Sequence, residues 1–216
     1  MIKAVFFDLD GVLVDADYWH YAALNRALAE HNLFITEEQH LHFFKGIPTR
    51  VKLKILSIKD GLDEALHETI NSRKQEHSIL IIEELCKPVP HKVTMMDSLK
   101  EKGYQIGVCT NSIRHTAELM LHKSGLLHKV DFIFSNEDVK HSKPDPEIYF
   151  KALSKAGVLP EEALIVEDSL VGLKAAQASG AFVCKVNGPE DVTLKRVESA
   201  ILKALETPSV TTITSS

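Results

Sequence analysis

Cysteine is scarce. Cys86, Cys109 and Cys184 stand far apart among 216 residues, with no Cys-x-x-Cys pair. That spacing offers no disulfide framework or thiolate metal site and points to reduced, buried residues. Long apolar runs are also missing, since no stretch approaches the roughly 20 residues of a membrane span. The opening apolar run is too short for a secretory signal and meets Asp8 at once, so a cytoplasmic protein is expected. Positive charge is not in excess: 25 Lys and Arg face 30 Asp and Glu, for a net charge of −5. Nucleic acid is therefore not an expected partner. His-Glu-x-x-His is absent, and His40 and His42, two apart on a helical stretch, do not share a face, so no zinc site is expected. No internal repeat or low-complexity domain is present.

What is present is an average soluble composition, 44% hydrophobic and 25% charged. The length suits one domain with an insertion, or two small domains. Ile2 to Phe7 is apolar except for Lys3 and reads as a strand buried on both faces of a parallel sheet. It stops at Asp8, Leu9, Asp10 and Gly11. Alone, that ending fits a turn as well as it fits a site.

From Asp17 to about Lys87 the spacing is helical throughout. Ala22, Ala23, Ala27 and Leu28 form one apolar stripe, and Thr36 to Gln39 fits a capping box. Leu62, Ala65, Leu66 and Ile70 open a longer helix reaching toward Leu85. Pro88 and Pro90 then break the pattern. Beyond them strands and helices alternate. Strands are expected over Tyr104 to Cys109, Asp131 to Phe134, Ala163 to Val166 and Ala181 to Val186, with helices between. Asp145 and Pro146 fit the N-cap and first position of one helix, and Gly125 the C-terminal cap of another. The expected fold is α/β: a Rossmann-like, doubly wound parallel sheet with an inserted all-helical cap. Residues 1–15 and 88–206 form the core, 16–87 the cap and 207–216 a disordered tail.

Parallel strands point the same way, so their C-terminal ends share one edge of the sheet, where ligands bind in such folds. Asp8 and Asp10, Thr110 to Ser112, and Glu167 with Asp168 all fall there. Lys143 joins them from a loop held extended by Pro144. Each has an ordinary reading by itself. Ser112 and Ser169 read as helix caps, Lys143 as a solvated lysine and Asn111 as a turn residue. Together they point to a shared site.

The order Phe-Asp-Leu-Asp-Gly-Val-Leu, Cys-Thr-Asn-Ser, Ser-Lys-Pro-Asp-Pro-Glu-Ile-Tyr-Phe and Val-Glu-Asp-Ser-Leu-Val-Gly resembles the haloacid dehalogenase superfamily of phosphohydrolases. The insertion after Asp15 resembles the helical cap of its β-phosphoglucomutase-like subgroup. The resemblance implies a nucleophile at Asp8 and a general acid and base at Asp10. It implies Mg²⁺ held by Asp8, Asp10 through its carbonyl, Asp168 and, more weakly, Glu167. Thr110, Asn111 and Lys143 would hold the phosphoryl oxygens, with Gly11 beside them where the strand turns toward the cap. Thr110 and Lys143 count among the catalytic residues. In the cap, His20, Lys45, Gly46 and Arg50 are candidates for substrate contact, whereas Arg73 and Lys74 read as a solvated helix face. Lys45, Gly46 and Arg50 depart by one position from a mutase signature, Lys-Gly-x-x-Arg. The implied activity is Mg²⁺-dependent hydrolysis of a small phosphorylated metabolite, a sugar or polyol phosphate, by a monomer or weak dimer. A phosphosugar mutase and an idle binding protein with the same fold are the alternatives.

Overall fold

The segment Ala4–Phe7 has no solvent exposure, and its side chains alternate between two cores. Val5 and Phe7 face one cluster with Ile106, Val108, Leu164 and Val166. Ala4 and Phe6 face the other, with Cys109, Ala163, Ile165 and Tyr149. A strand buried on both faces is what an uninterrupted apolar run produces. This strand, β1, is the middle of a five-stranded sheet ordered β3-β2-β1-β4-β5. The others are β2 (Gln105–Cys109), β3 (Phe132–Phe134), β4 (Ala163–Glu167) and β5 (Phe182–Lys185). Every pairing is parallel, with Phe7 level with Val108 on one side and Val166 on the other. The computed structural model describes residues 1–206; the tail expected over 207–216 lies outside them.

Four helices precede β2 in the insertion: α1 (Asp17–Ala29), the single turn α2 (Glu37–Gln39), α3 (Thr49–Asp60) and α4 (His67–Leu85). Thr36 and Gln39 close the expected capping box, and a π-helical turn, His40–Phe44, continues from α2. The insertion has its own apolar core of Leu24, Leu28, Ile35, Phe44, Leu53 and Ile70. The fold is thus the doubly wound sheet with a helical cap expected from the sequence. α4 starts later than Leu62 because Asp63 caps a separate 3₁₀ turn, its carboxylate accepting from the Ala65 N–H.

Among the described residues five helices flank the sheet: α5 (Pro90–Glu101), α6 (Arg114–Ser124), α7 (Glu147–Ala156), α8 (Leu170–Ala178) and α9 (Leu194–Glu206). α5, α6 and α9 cover one face and α7 and α8 the other. Gly125 closes α6 in the left-handed region, as expected. α7 begins one residue later than its sequence indicates. Pro146 is the N-cap, and Asp145, one position upstream, accepts from the Glu147 N–H. Where the chain crosses between sheet and cap, the buried Lys92 ammonium donates to the carbonyls of Val12 and Leu13 at 2.7 and 2.9 Å. No helix among the described residues is long and apolar enough to cross a membrane.

Candidate active site

β1, β2 and β4 end side by side, so register alone gathers their polar residues. Asp8 leaves β1 with its N–H on the Val166 carbonyl, and Thr110 leaves β2 with its N–H on Phe134. The Lys143 ammonium donates to Asp8 Oδ1 at 2.8 Å, to Glu167 Oε1 at 2.5 Å and to the Cys109 carbonyl at 2.8 Å. It ties three strand ends together inside the protein, 4% exposed. Tyr149, from α7, donates its hydroxyl to the same Glu167 oxygen at 2.7 Å. Ser169 caps α8, accepting from the Gly172 N–H.

Asp8, Glu167 and Asp168 each present an oxygen, and the three oxygens lie within 4.8 Å of one another. Burial, then the charge of Glu167, pushes the Asp8 carboxyl well above its ordinary range, against the pull of Lys143. Burial likewise raises Asp168 to about 6, although Lys45 opposes the shift. Glu167 has donors on both oxygens, from Lys143, Tyr149, Ser169 and the Asp168 N–H. Asp168 does not. The Lys45 ammonium lies 2.8 Å from its Oδ2, yet neither oxygen has an aligned hydrogen-bond donor. Crowded, buried carboxylates with unsatisfied oxygens fit a hard divalent cation.

Asp10 has a different environment. His20 Nε2 sits 2.7 Å from its Oδ1, and Ser112 and Thr110 donate to its Oδ2 at 2.8 and 3.1 Å. Burial alone would raise its pKa, but His20 and the two hydroxyls outweigh burial and hold it at about 2. Lys74 Nζ approaches the other ring nitrogen of His20 at 3.4 Å.

These residues open into one cavity of about 840 Å³ between sheet and cap, lined among others by Asp8, Asp10, His20, Lys45, Lys74 and Lys143. Several expectations change here. Ser112 is not a helix cap; Ile113 holds that position, and the Ser112 hydroxyl serves Asp10. Thr110 is fully buried and also spends its hydroxyl on Asp10, so it braces the acid and does not line the cavity. The Gly11 N–H is taken by the Val14 carbonyl, so it is not available to a phosphate. Gly11 is nonetheless required: its φ is +84°, and a Cβ there would fall 2.5 Å from Asp168 Oδ2. Asn111 donates across the gap to the Gly46 carbonyl of the cap and accepts from the Lys143 N–H. Lys45 bridges Asp17 and Asp168.

Arg50 lines the rim of this cavity with its side chain 76% exposed, and Glu68 lies 3.6 Å from it. Arg73 is on a solvated face, paired with Glu30 and Glu76, but Lys74 beside it is buried in the cavity wall. His40 and Lys52, which line the same wall, carry no recognisable motif. The signal that could have found them is a polar residue on the apolar face of a helical stretch. The three thiols are buried and free, and burial pushes Cys86 to about 11 and Cys109 to about 12, as inert thiols require.

A family model described as haloacid dehalogenase-like hydrolase matches residues 5–186. A phosphorylated carbohydrates phosphatase from Thermotoga maritima is 32% identical over 83% of this chain and 82% of its own. The pyrophosphatase PpaX of Oceanobacillus iheyensis is 28% identical over 78% of this chain and 75% of its own. Among solved structures, a β-phosphoglucomutase from Clostridium difficile superimposes with a TM-score of 0.83 at 21% identity, covering 96% of this chain and 100% of that one. By the family match and the similarity to the Thermotoga maritima phosphatase, the chain belongs to the haloacid dehalogenase-like hydrolases.

Proposed function

We propose that this hydrolase is a Mg²⁺-dependent phosphatase of a small phosphorylated metabolite, acting through an aspartyl phosphate on Asp8. The observation that carries the reading is the unequal treatment of two neighbouring carboxylates at one cavity. Asp8 is fixed by Lys143 through one oxygen, and its other oxygen has no hydrogen-bond donor among the described residues. Asp10 is surrounded by a histidine and two hydroxyls. One arrangement suits a nucleophile and the other a proton shuttle.

In the first half-reaction, the free oxygen of Asp8 attacks phosphorus. The bond to the leaving oxygen breaks, and a proton from Asp10 completes the alcohol. The free protein holds Asp10 ionised, and the negative charge of an arriving phosphoryl group raises its proton affinity. In the second half, water attacks the phosphoryl group, Asp10 takes its proton, and the bond to Asp8 breaks. His20 steadies Asp10 through both halves. Lys143 keeps Asp8 oriented and offsets charge on the phosphoryl oxygens. Asp8, Asp168 and the Asp10 carbonyl would hold Mg²⁺, with Glu167 behind them. When bound, the ion would neutralise charge on the phosphoryl group. The closed cap would keep bulk water away.

The relative from Thermotoga maritima favours a sugar or polyol phosphate as the substrate. The test is turnover of p-nitrophenyl phosphate with Mg²⁺, with a chelator, and with Asp8→Asn. Activity is expected only for the intact protein with metal. Undiminished turnover in the variant or the chelator would overturn the mechanism.

A further inference from the structure

Four lysines are buried among the described residues: Lys52, Lys74, Lys92 and Lys143. Lys92 is satisfied by two carbonyls and Lys143 by two carboxylates and a carbonyl. Lys74 has only the long contact to His20. The Lys52 ammonium has no hydrogen bond or ion pair among the described residues, although the residue is only 6% exposed. Both of these lysines line the cavity, from α3 and α4 of the cap. Beside them His40 is 4% exposed, and neither of its ring nitrogens has a partner. An isolated buried ammonium is costly, and two near each other cost more. The field of Lys74 reaches Lys52, and that of Lys52 reaches His40. Burial first, and then these neighbours, lower Lys52 to about 7 and His40 to about 4, while burial takes Lys74 to about 8.

The rest of the cavity does not resolve this. The carboxylates at its floor are committed to Lys143 and His20, and Lys45 is held by Asp17 and Asp168. Among the described residues, Lys52 and Lys74 are the two buried lysines with neither a carboxylate nor a carbonyl on the ammonium. A phosphoryl group on Asp8 would fill only a small part of about 840 Å³.

We propose that Lys52, Lys74 and His40 form a subsite for a second anionic group, at the end of the substrate remote from the phosphoryl group transferred to Asp8. An anion placed there would satisfy both ammonium groups and the unpartnered imidazole at once. Two lysines and a histidine together match a phosphate better than a carboxylate. The substrate class is then a bisphosphorylated small molecule, with a phosphorylated acid as the second source of the same chemistry. This subsite rests on the phosphatase reading for the identity of the transferred group, but its binding can be measured without turnover.

The experiment uses the full chain carrying Asp8→Asn, which abolishes the proposed chemistry. Calorimetry measures fructose 1,6-bisphosphate, 6-phosphogluconate and fructose 6-phosphate on this protein, with and without Lys52→Met. Loss of a charge-assisted contact is worth roughly ten- to a hundredfold in affinity. The bisphosphate is expected to bind at least tenfold tighter than the monophosphate, and Lys52→Met to erase that margin while Lys52→Arg retains much of it. Tighter binding of 6-phosphogluconate than of the bisphosphate would assign the subsite to a carboxylate. Equal binding of all three, or a margin that survives Lys52→Met, would overturn it. Parallel turnover by the protein with Asp8 intact separates the two claims: no hydrolysis of any phosphate sinks the phosphatase reading, while the calorimetry still decides the subsite.

Discussion

Lys143 joins three roles in one side chain. Its ammonium orients Asp8, balances Glu167 and holds the end of β2 through the Cys109 carbonyl. Replacing it with methionine leaves Glu167 fully buried with only Tyr149, Ser169 and a backbone N–H as donors. Breaking one partner of a buried pair costs about 3–5 kcal/mol. Lys143→Met should lower the urea midpoint accordingly, and adding Glu167→Gln should recover part of the loss. Strictly additive losses would show that the two charges do not depend on each other. Single residues were also where sequence reading was strongest and weakest. Asp8, Asp10 and Asp168 sit in short strings at strand ends, where position follows from register, and Lys143 reaches them from a loop. Ser112 sits in the same kind of string, yet its role was hidden. A serine after a strand caps a helix in most contexts, and only the placement of Asp10 shows what its hydroxyl faces.

At the scale of elements, the end of β4 and the start of α8 are pressed together. A Cβ on Gly172 would stand 2.0 Å from Glu167 Oε1. Alanine favours a helix over glycine by about 1 kcal/mol, so Gly172→Ala would stabilise α8 if space were free. Here it should lower the melting temperature and also impair phosphatase activity, because Glu167 must move and Lys143 with it. An unchanged or raised melting temperature would mean the two elements can separate at little cost. The strands and the helices after β2 were legible, because apolar runs and capping residues specify them locally. The cap cluster was not. His40 comes from a π-helical turn, Lys52 from α3 and Lys74 from α4. In the sequence each looks like a solvated polar residue, and only cap packing turns all three toward one cavity.

For the whole molecule, the buried lysines link stability to pH. Lys52 titrates near pH 7 when folded and in the ordinary lysine range when unfolded. Between those values the unfolded chain holds a proton that the folded chain has lost, so stability rises with pH. The cost of the buried charge is complete below about pH 7, with Lys74 adding to it and Asp17 and Asp10 easing it. Lys52→Met should therefore be the more stable protein near about pH 6, and its advantage should shrink toward about pH 10, read from urea midpoints. An advantage independent of pH would mean Lys52 titrates as an exposed lysine. The strand order carries a consequence of another kind. β1 lies between β2 and β4, and Ala4 pairs with Gln105 on one side and Ala163 on the other. As the chain leaves the ribosome, this central strand has no partner until about a hundred further residues have been made. The cap, with a core of its own, is finished first. During synthesis the strand that ends at Asp8 is the segment most exposed to misassociation, and it is the one a chaperone would have most reason to shield.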